Sequence, residues 1–128
     1  MKKSKLSVKV ERLIKRLKER VIAVTQKHID NGERESTDEC PVALAMSAIF
    51  KPYGVEVDRG KDGVTVTIED KVTVGVWATL PKQAAKWTTR YDESDEEEVD
   101  PKIKPIKFRL TKVRVDPLSL KLLEKHES

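Results

Sequence analysis

Cys40 is the only cysteine in the chain. A lone thiol leaves no partner for an internal disulfide, so a reducing, intracellular setting is expected. His28 and His126 are the only histidines. A structural zinc takes about four nitrogen or sulfur ligands at short spacings, so no metal and no cofactor is expected. Glycine is scarce, five residues, and stands at turns. No GxGxxG, GxxxxGK(S/T), GxSxG or HExxH pattern occurs, which removes the common nucleotide-binding, serine-hydrolase and zinc-protease signatures. Aromatic residues make up 5% of the chain and apolar residues 38%, the latter below the usual ~45–50%. No apolar run approaches the ~18–20 residues of a membrane span. The basic N-terminus is not followed by the apolar stretch of a secretory signal. A cytoplasmic location without a membrane partner is therefore expected.

What is abundant is charge. Charged residues are 38% of the 128, and the net charge is +4. That small net hides blocks. Residues 1–20 hold nine Lys/Arg and two acids, a local +7. Residues 92–100, DESDEEEVD, hold seven acids and no base. Residues 101–115 hold six bases and no acid. A block of like charge resists packing, so 92–100 is expected to be a mobile, solvated loop. Catalytic carboxylate pairs need a rigid setting that separates their pKa values, which such a run does not give.

The hydrophobic pattern predicts an α+β fold: one small antiparallel, or mixed, sheet of four to five strands on a buried central helix, with amphipathic helices at both ends. Leu6, Val10, Leu13, Ile14 and Leu17 recur at helical spacing, giving a basic amphipathic helix near 5–19 within an extension, 1–20. The core domain is assigned to 21–115. It opens with the β-branched strand Val21–Val24. Thr25 and Gly32 bracket a helical turn, QKHIDN. Pro41 suits the first position of a helix over 41–50. That helix is apolar nearly all round, so it is expected at the centre, with Leu44, Ala45, Ala48 and Ile49 buried. Strict alternation at Val55/Val57, Val64/Val66/Ile68 and Val72/Val74/Val76 predicts an antiparallel meander. Pro81 opens a second helix to Tyr91. Ile106, Phe108 and Leu110 alternate as a strand, and Val113 and Val115 fall on the other parity, which requires a bulge or break. Asp116-Pro117 opens a leucine-rich helix, 116–128.

Three motifs stand together: VTQKHIDNGERESTDECPVALAM, LPKQAAKWTTRYD and IKPIKFRL. The combination resembles a family of small uncharacterised phage and prophage proteins with the words VTxxHIxxG, CPVALA and LPxxA. The resemblance covers roughly residues 21–110 and implies a mobile-element origin, with no activity to transfer. Many members of that family have a second cysteine shortly before the CP pair. Here that position lies in Ser36-Thr37-Asp38-Glu39, so a metal or redox role for such a pair does not carry over.

Catalytic residues are expected to be none. Cys40, before a helix-opening proline, is the weak candidate nucleophile, because the helix N-terminus favours thiolate. His28 is its candidate base. The simpler reading makes Cys40 a buried cap and His28 a polar side chain on a helical turn. Trp77 and Trp87 read as packing rather than as stacking platforms. The first functional reading is a non-catalytic binding protein of phage or mobile-element origin, acting through protein–protein contacts on itself as a homodimer or on a host protein, including anti-defence roles. Its expected interface is Leu6, Val10, Leu13 and Leu17 with Leu118 and Leu122. The alternative is a basic protein that binds nucleic acid without sequence preference through Lys9, Arg12, Lys15, Arg16, Lys104, Lys107 and Arg109. The third is a small-molecule or anion-binding protein, or an enzyme, centred on Cys40.

Overall fold

The computed structural model describes residues 4–94 and 103–127. Among them the chain forms α1 (Lys5–Glu19), β1 (Val21–Val24), α2 (Gln26–Asn31), α3 (Pro41–Ile49), β2 (Gly54–Asp58), β3 (Gly63–Glu69), β4 (Thr73–Thr79), α4 (Lys82–Glu93), β5 (Ile106–Arg109), β6 (Thr111–Val115) and α5 (Pro117–Glu127). This is an α+β fold, as the patterning predicts.

The valine alternation places one face of a four-stranded antiparallel sheet, in the order β2-β3-β4-β6, in the core. Val55, Val57, Val64, Val66, Ile68, Val74, Val76 and Ala78 are all buried on that face. The interleaved Thr65, Thr67, Trp77 and Thr79 are only partly covered. β1 and β5 form a separate two-stranded ladder. The last two strands part company at the expected irregularity. Across β6, Trp77 stands opposite Arg114 and Thr79 opposite Thr111, so β6 carries one residue more than β4. Lys112 in this bulge adopts φ 49°, a left-handed conformation that few side chains tolerate.

α1 starts at Ser4, whose hydroxyl accepts the Ser7 N–H at 3.1 Å. Its stripe of Leu6, Val10, Leu13 and Leu17 is buried in this chain, where the helix lies against β4 and β6. These four are therefore core residues of the chain itself and not a surface for a partner, which corrects the expected interface. α4 sits by the two-stranded ladder: Trp87 Nε1 donates to the Lys104 carbonyl and Gln83 to that of Lys107. α5 runs beside β4. The Asp116 N–H donates to the Gly75 carbonyl, and the Ser119 hydroxyl accepts the Gly75 N–H at 2.8 Å. Leu123 turns inward, while Leu118, Leu120 and Leu122 remain exposed.

Two further expectations are corrected. In α3 the buried side chains are Pro41, Val42, Ala43, Ala45 and Met46, followed by Phe50. Leu44 and Ile49 are half-buried and Ala48 is exposed. A helix apolar on every side has no preferred face, and its rotation is set by the elements it packs on, β1, β2 and α2. The acidic block is not a loop from its first residue. Asp92 and Glu93 belong to α4 and Ser94 caps it. The remainder of 92–100 lies outside the described residues.

Candidate functional site

Cys40 is the N-cap of α3 and fully buried. Burial pushes its thiol pKa up, outweighing the Ala43 N–H and the Arg59 guanidinium, both of which favour the thiolate. Desolvation thus defeats the helix dipole, and the group is a thiol at neutral pH. His28 is occupied elsewhere. Its Nδ1 accepts the Thr25 N–H at 2.9 Å, capping α2. Partial burial, helped by the Lys27 charge, holds its pKa below the ordinary value. No hydrogen bond joins His28 to Cys40 among the described residues. The two weak catalytic candidates are not brought together as nucleophile and base.

The motif words meet in space for a structural reason. The loop between α2 and α3 must be held, because it covers the edge strand β2, where Thr37 accepts the Val57 N–H at 2.7 Å. Tyr91 is buried, and its hydroxyl donates to the Gly32 carbonyl at 2.8 Å, with the Ile29 carbonyl at 3.2 Å. Gly32 sits so close to Pro41 that a Cβ there would come within 2.6 Å of the proline ring. That contact fixes the start of α3. Arg59, in the turn after β2, donates through Nε and Nη2 to the Asp92 carboxylate and through Nη1 to the Ser36 carbonyl. Asp92 also accepts the Glu35 N–H at 2.8 Å. Arg34 lies over the Tyr91 ring, which stacks on Trp87 at 5.8 Å. Among the described residues no buried side-chain polar atom of this cluster lacks a hydrogen-bond partner. Among the described residues no group of three His, Cys, Asp or Glu is placed to hold a metal.

The cations named from sequence divide into two sets. On α1, Lys9 pairs with Asp70 at 3.2 Å. Arg16 donates to the Ile49 carbonyl at 2.7 Å and lies over the Phe50 ring, closing the end of α3. Arg12 and Lys15 face solvent. Lys104, Lys107 and Arg109 are exposed on and before β5. No family model, curated protein or solved structure matches the chain. The site therefore has to be judged on its own geometry.

Sequence reasoning missed one feature. A cleft of about 420 Å³ on the outer side of the four-stranded sheet is lined by Lys61, Trp77, Thr79, Lys112, Arg114 and Asp116. The signal was present in the period of two: the alternation that turns Val74 and Val76 inward turns Trp77 outward. A tryptophan on the solvent parity of a strand packs along the sheet and leaves part of its ring to water. Trp77 is indeed absent from the side chains that pack against the core, whereas Trp87 is among them.

Proposed function

We propose that the protein is a non-catalytic binding protein whose ligand is nucleic acid, held mainly through its phosphates. One observation carries this reading. Lys104, Lys107, Arg109, Lys112 and Arg114 are all exposed, and no acid interrupts them between Ile103 and Val115. None of the five makes a side-chain hydrogen bond or ion pair among the described residues. The segment passes from the two-stranded ladder to the four-stranded sheet, so it spreads unmatched positive charge across both. Cations left unpaired over such a strip neutralise phosphates and release counterions. Base-reading scaffolds such as a helix-turn-helix are absent from the described elements, which argues for binding without sequence preference.

The test is anisotropy with labelled oligonucleotides across a salt series. Affinity should fall steeply between ~50 and ~200 mM salt and vary little with sequence. The triple variant Lys104→Glu, Lys107→Glu, Arg109→Glu should weaken binding and flatten that slope. Absence of binding at ~50 mM salt, or binding indifferent to salt, refutes the reading.

A second reading is favoured by α5. Leu118 is 73% exposed, and Leu122, one turn on, is 46% exposed. Large apolar groups adjacent on an exposed helix favour a protein contact, here a homodimer through α5. Light scattering with Leu118→Glu, Leu122→Glu tests it: a monomeric parent protein refutes it. The resemblance of residues 21–110 to the phage family supports a mobile-element origin under either reading.

A further inference from the structure

The cleft around Trp77 has a specificity that a bare basic strip lacks. The indole is fixed from below and from the side. A Cβ at Gly63 would fall 2.1 Å from Cζ2 of the ring, so the absence of a side chain there is what lets the indole lie over β3. Nε1 donates to the Thr79 hydroxyl at 3.2 Å, which leaves no hydrogen-bonding demand on a ligand and presents the ring as a π surface. Arg114 stands directly across the ladder from it. The bulge that strains Lys112 sets that lysine on the rim. A second cleft of about 490 Å³ shares Lys61, Thr79 and Lys112 with the first and continues to Lys82 and Lys86 at the start of α4. Both volumes fall within the ~300–1,000 Å³ of ligand clefts.

The charge around these clefts is lopsided. Among the described residues that line the two clefts, Lys61, Lys82, Lys86, Lys112 and Arg114 stand against Asp62 and Asp116. None of the five cationic groups has a side-chain partner among the described residues. Elsewhere Arg59, Lys9 and Arg16 are engaged internally. An aromatic plate with unpaired cations on two sides matches a flat ring attached to phosphates.

We propose that the Trp77 cleft is a stacking site for one base of a single-stranded nucleic acid, with Lys61, Lys112 and Arg114 on the flanking phosphates and the strand continuing toward Lys82 and Lys86. This rests on the nucleic-acid reading above and narrows it to single strands. In a duplex the base faces are already stacked on one another and cannot reach an indole seated in a cleft. In a single strand they are available, and every base offers a π face, so the site selects strandedness rather than sequence.

The experiment compares a short oligothymidylate with a duplex of the same length, using the full chain. Removal of one stacking ring should cost about 5–140-fold in affinity. Trp77→Ala should therefore weaken single-strand binding by that factor, leave duplex binding within about twofold, and abolish the preference for single strands. Trp77→Phe, which keeps a ring, should retain most of the affinity and controls for loss of fold. In a Trp87→Phe protein the remaining Trp77 fluorescence should be quenched by the oligonucleotide. If Trp77→Ala binds the single strand like the parent protein and salt-dependent binding persists, the stacking site is refuted and the nucleic-acid reading stands. If the parent protein binds neither form, both fall.

Discussion

Replacing Leu13 by alanine should destabilise the domain about as much as a central core lesion, although Leu13 lies in a segment that reads from sequence as an extension. Leu13 is 1% exposed and Leu17, one turn on, is 0% exposed. Leu→Ala at buried sites costs about 2–5 kcal/mol, the lost transfer energy plus a cavity term that grows when the surroundings cannot collapse. Here the helix rests on the hydrogen-bonded strands β4 and β6. A sheet cannot move in to fill the gap, so about 3–4 kcal/mol is expected. That is a large part of the ~5–15 kcal/mol that holds a typical domain. With an m-value near ~2 kcal/mol/M, the urea midpoint should fall by about 1.5–2 M. The control is Leu118→Ala, on the exposed side of α5 and expected within about 0.5 kcal/mol of the parent protein. Urea unfolding followed by far-UV circular dichroism reads both. A Leu13→Ala midpoint no lower than that of Leu118→Ala would show that α1 is not part of the core.

Three other outcomes follow from the cluster that holds the α2–α3 loop. Tyr91→Phe strands the Gly32 and Ile29 carbonyls and should cost about 1–3 kcal/mol by the same urea assay; no change would show that the loop is held by other contacts. His28 has a depressed pKa when folded, so below its ordinary value of 6.5 the unfolded chain binds the extra proton and stability falls as the pH drops. Unfolding measured at several pH values on either side of that point should show the loss, and His28→Gln, which keeps an acceptor for the Thr25 N–H, should reduce it; equal slopes for both proteins would contradict the assignment. Cys40, buried with a raised pKa, should resist an aromatic disulfide reagent in the native protein and react at once in urea; fast native labelling would mean that the start of α3 opens readily.

The features legible in the sequence were those governed by neighbours along the chain. Thr25 and Gly32 bound α2, and Pro41 opens α3, because caps depend on residues within one turn. The valine alternation sorted the sheet faces, because side chains in a strand alternate by geometry. What depended on distant partners was not legible. Arg59 and Asp92 are 33 residues apart, and nothing local in either says that they pair. Asp92 looked like the first residue of a solvated acidic run, whereas it is the point at which α4 grips the loop. The rotation of α3 was also illegible, since its apolar circumference allows any face and the choice is made by packing on β1, β2 and α2.

The same division bears on function. The motifs with the most distinctive lettering, HIDNG, CPVALAM and RYD, spend polar groups inside the protein: Tyr91 on Gly32, Asp92 on Arg59, His28 on the N-terminus of α2. Buried polar groups are costly unless matched, so a cluster that must hold a loop tolerates little substitution and acquires a memorable sequence. Distinctive lettering there reflects architecture. The residues without a side-chain partner among the described residues are ordinary ones, lysines and arginines around a tryptophan on the water side of a strand, and they form no memorable word. Trp77 contributes nothing to the core, yet the glycine beneath it and the bulge beside it shape the sheet around its ring. The other outward positions of this face in β3 are the threonines Thr65 and Thr67. The proposed binding surface is the Trp77 cleft, where a tryptophan interrupts the threonines of the outer face.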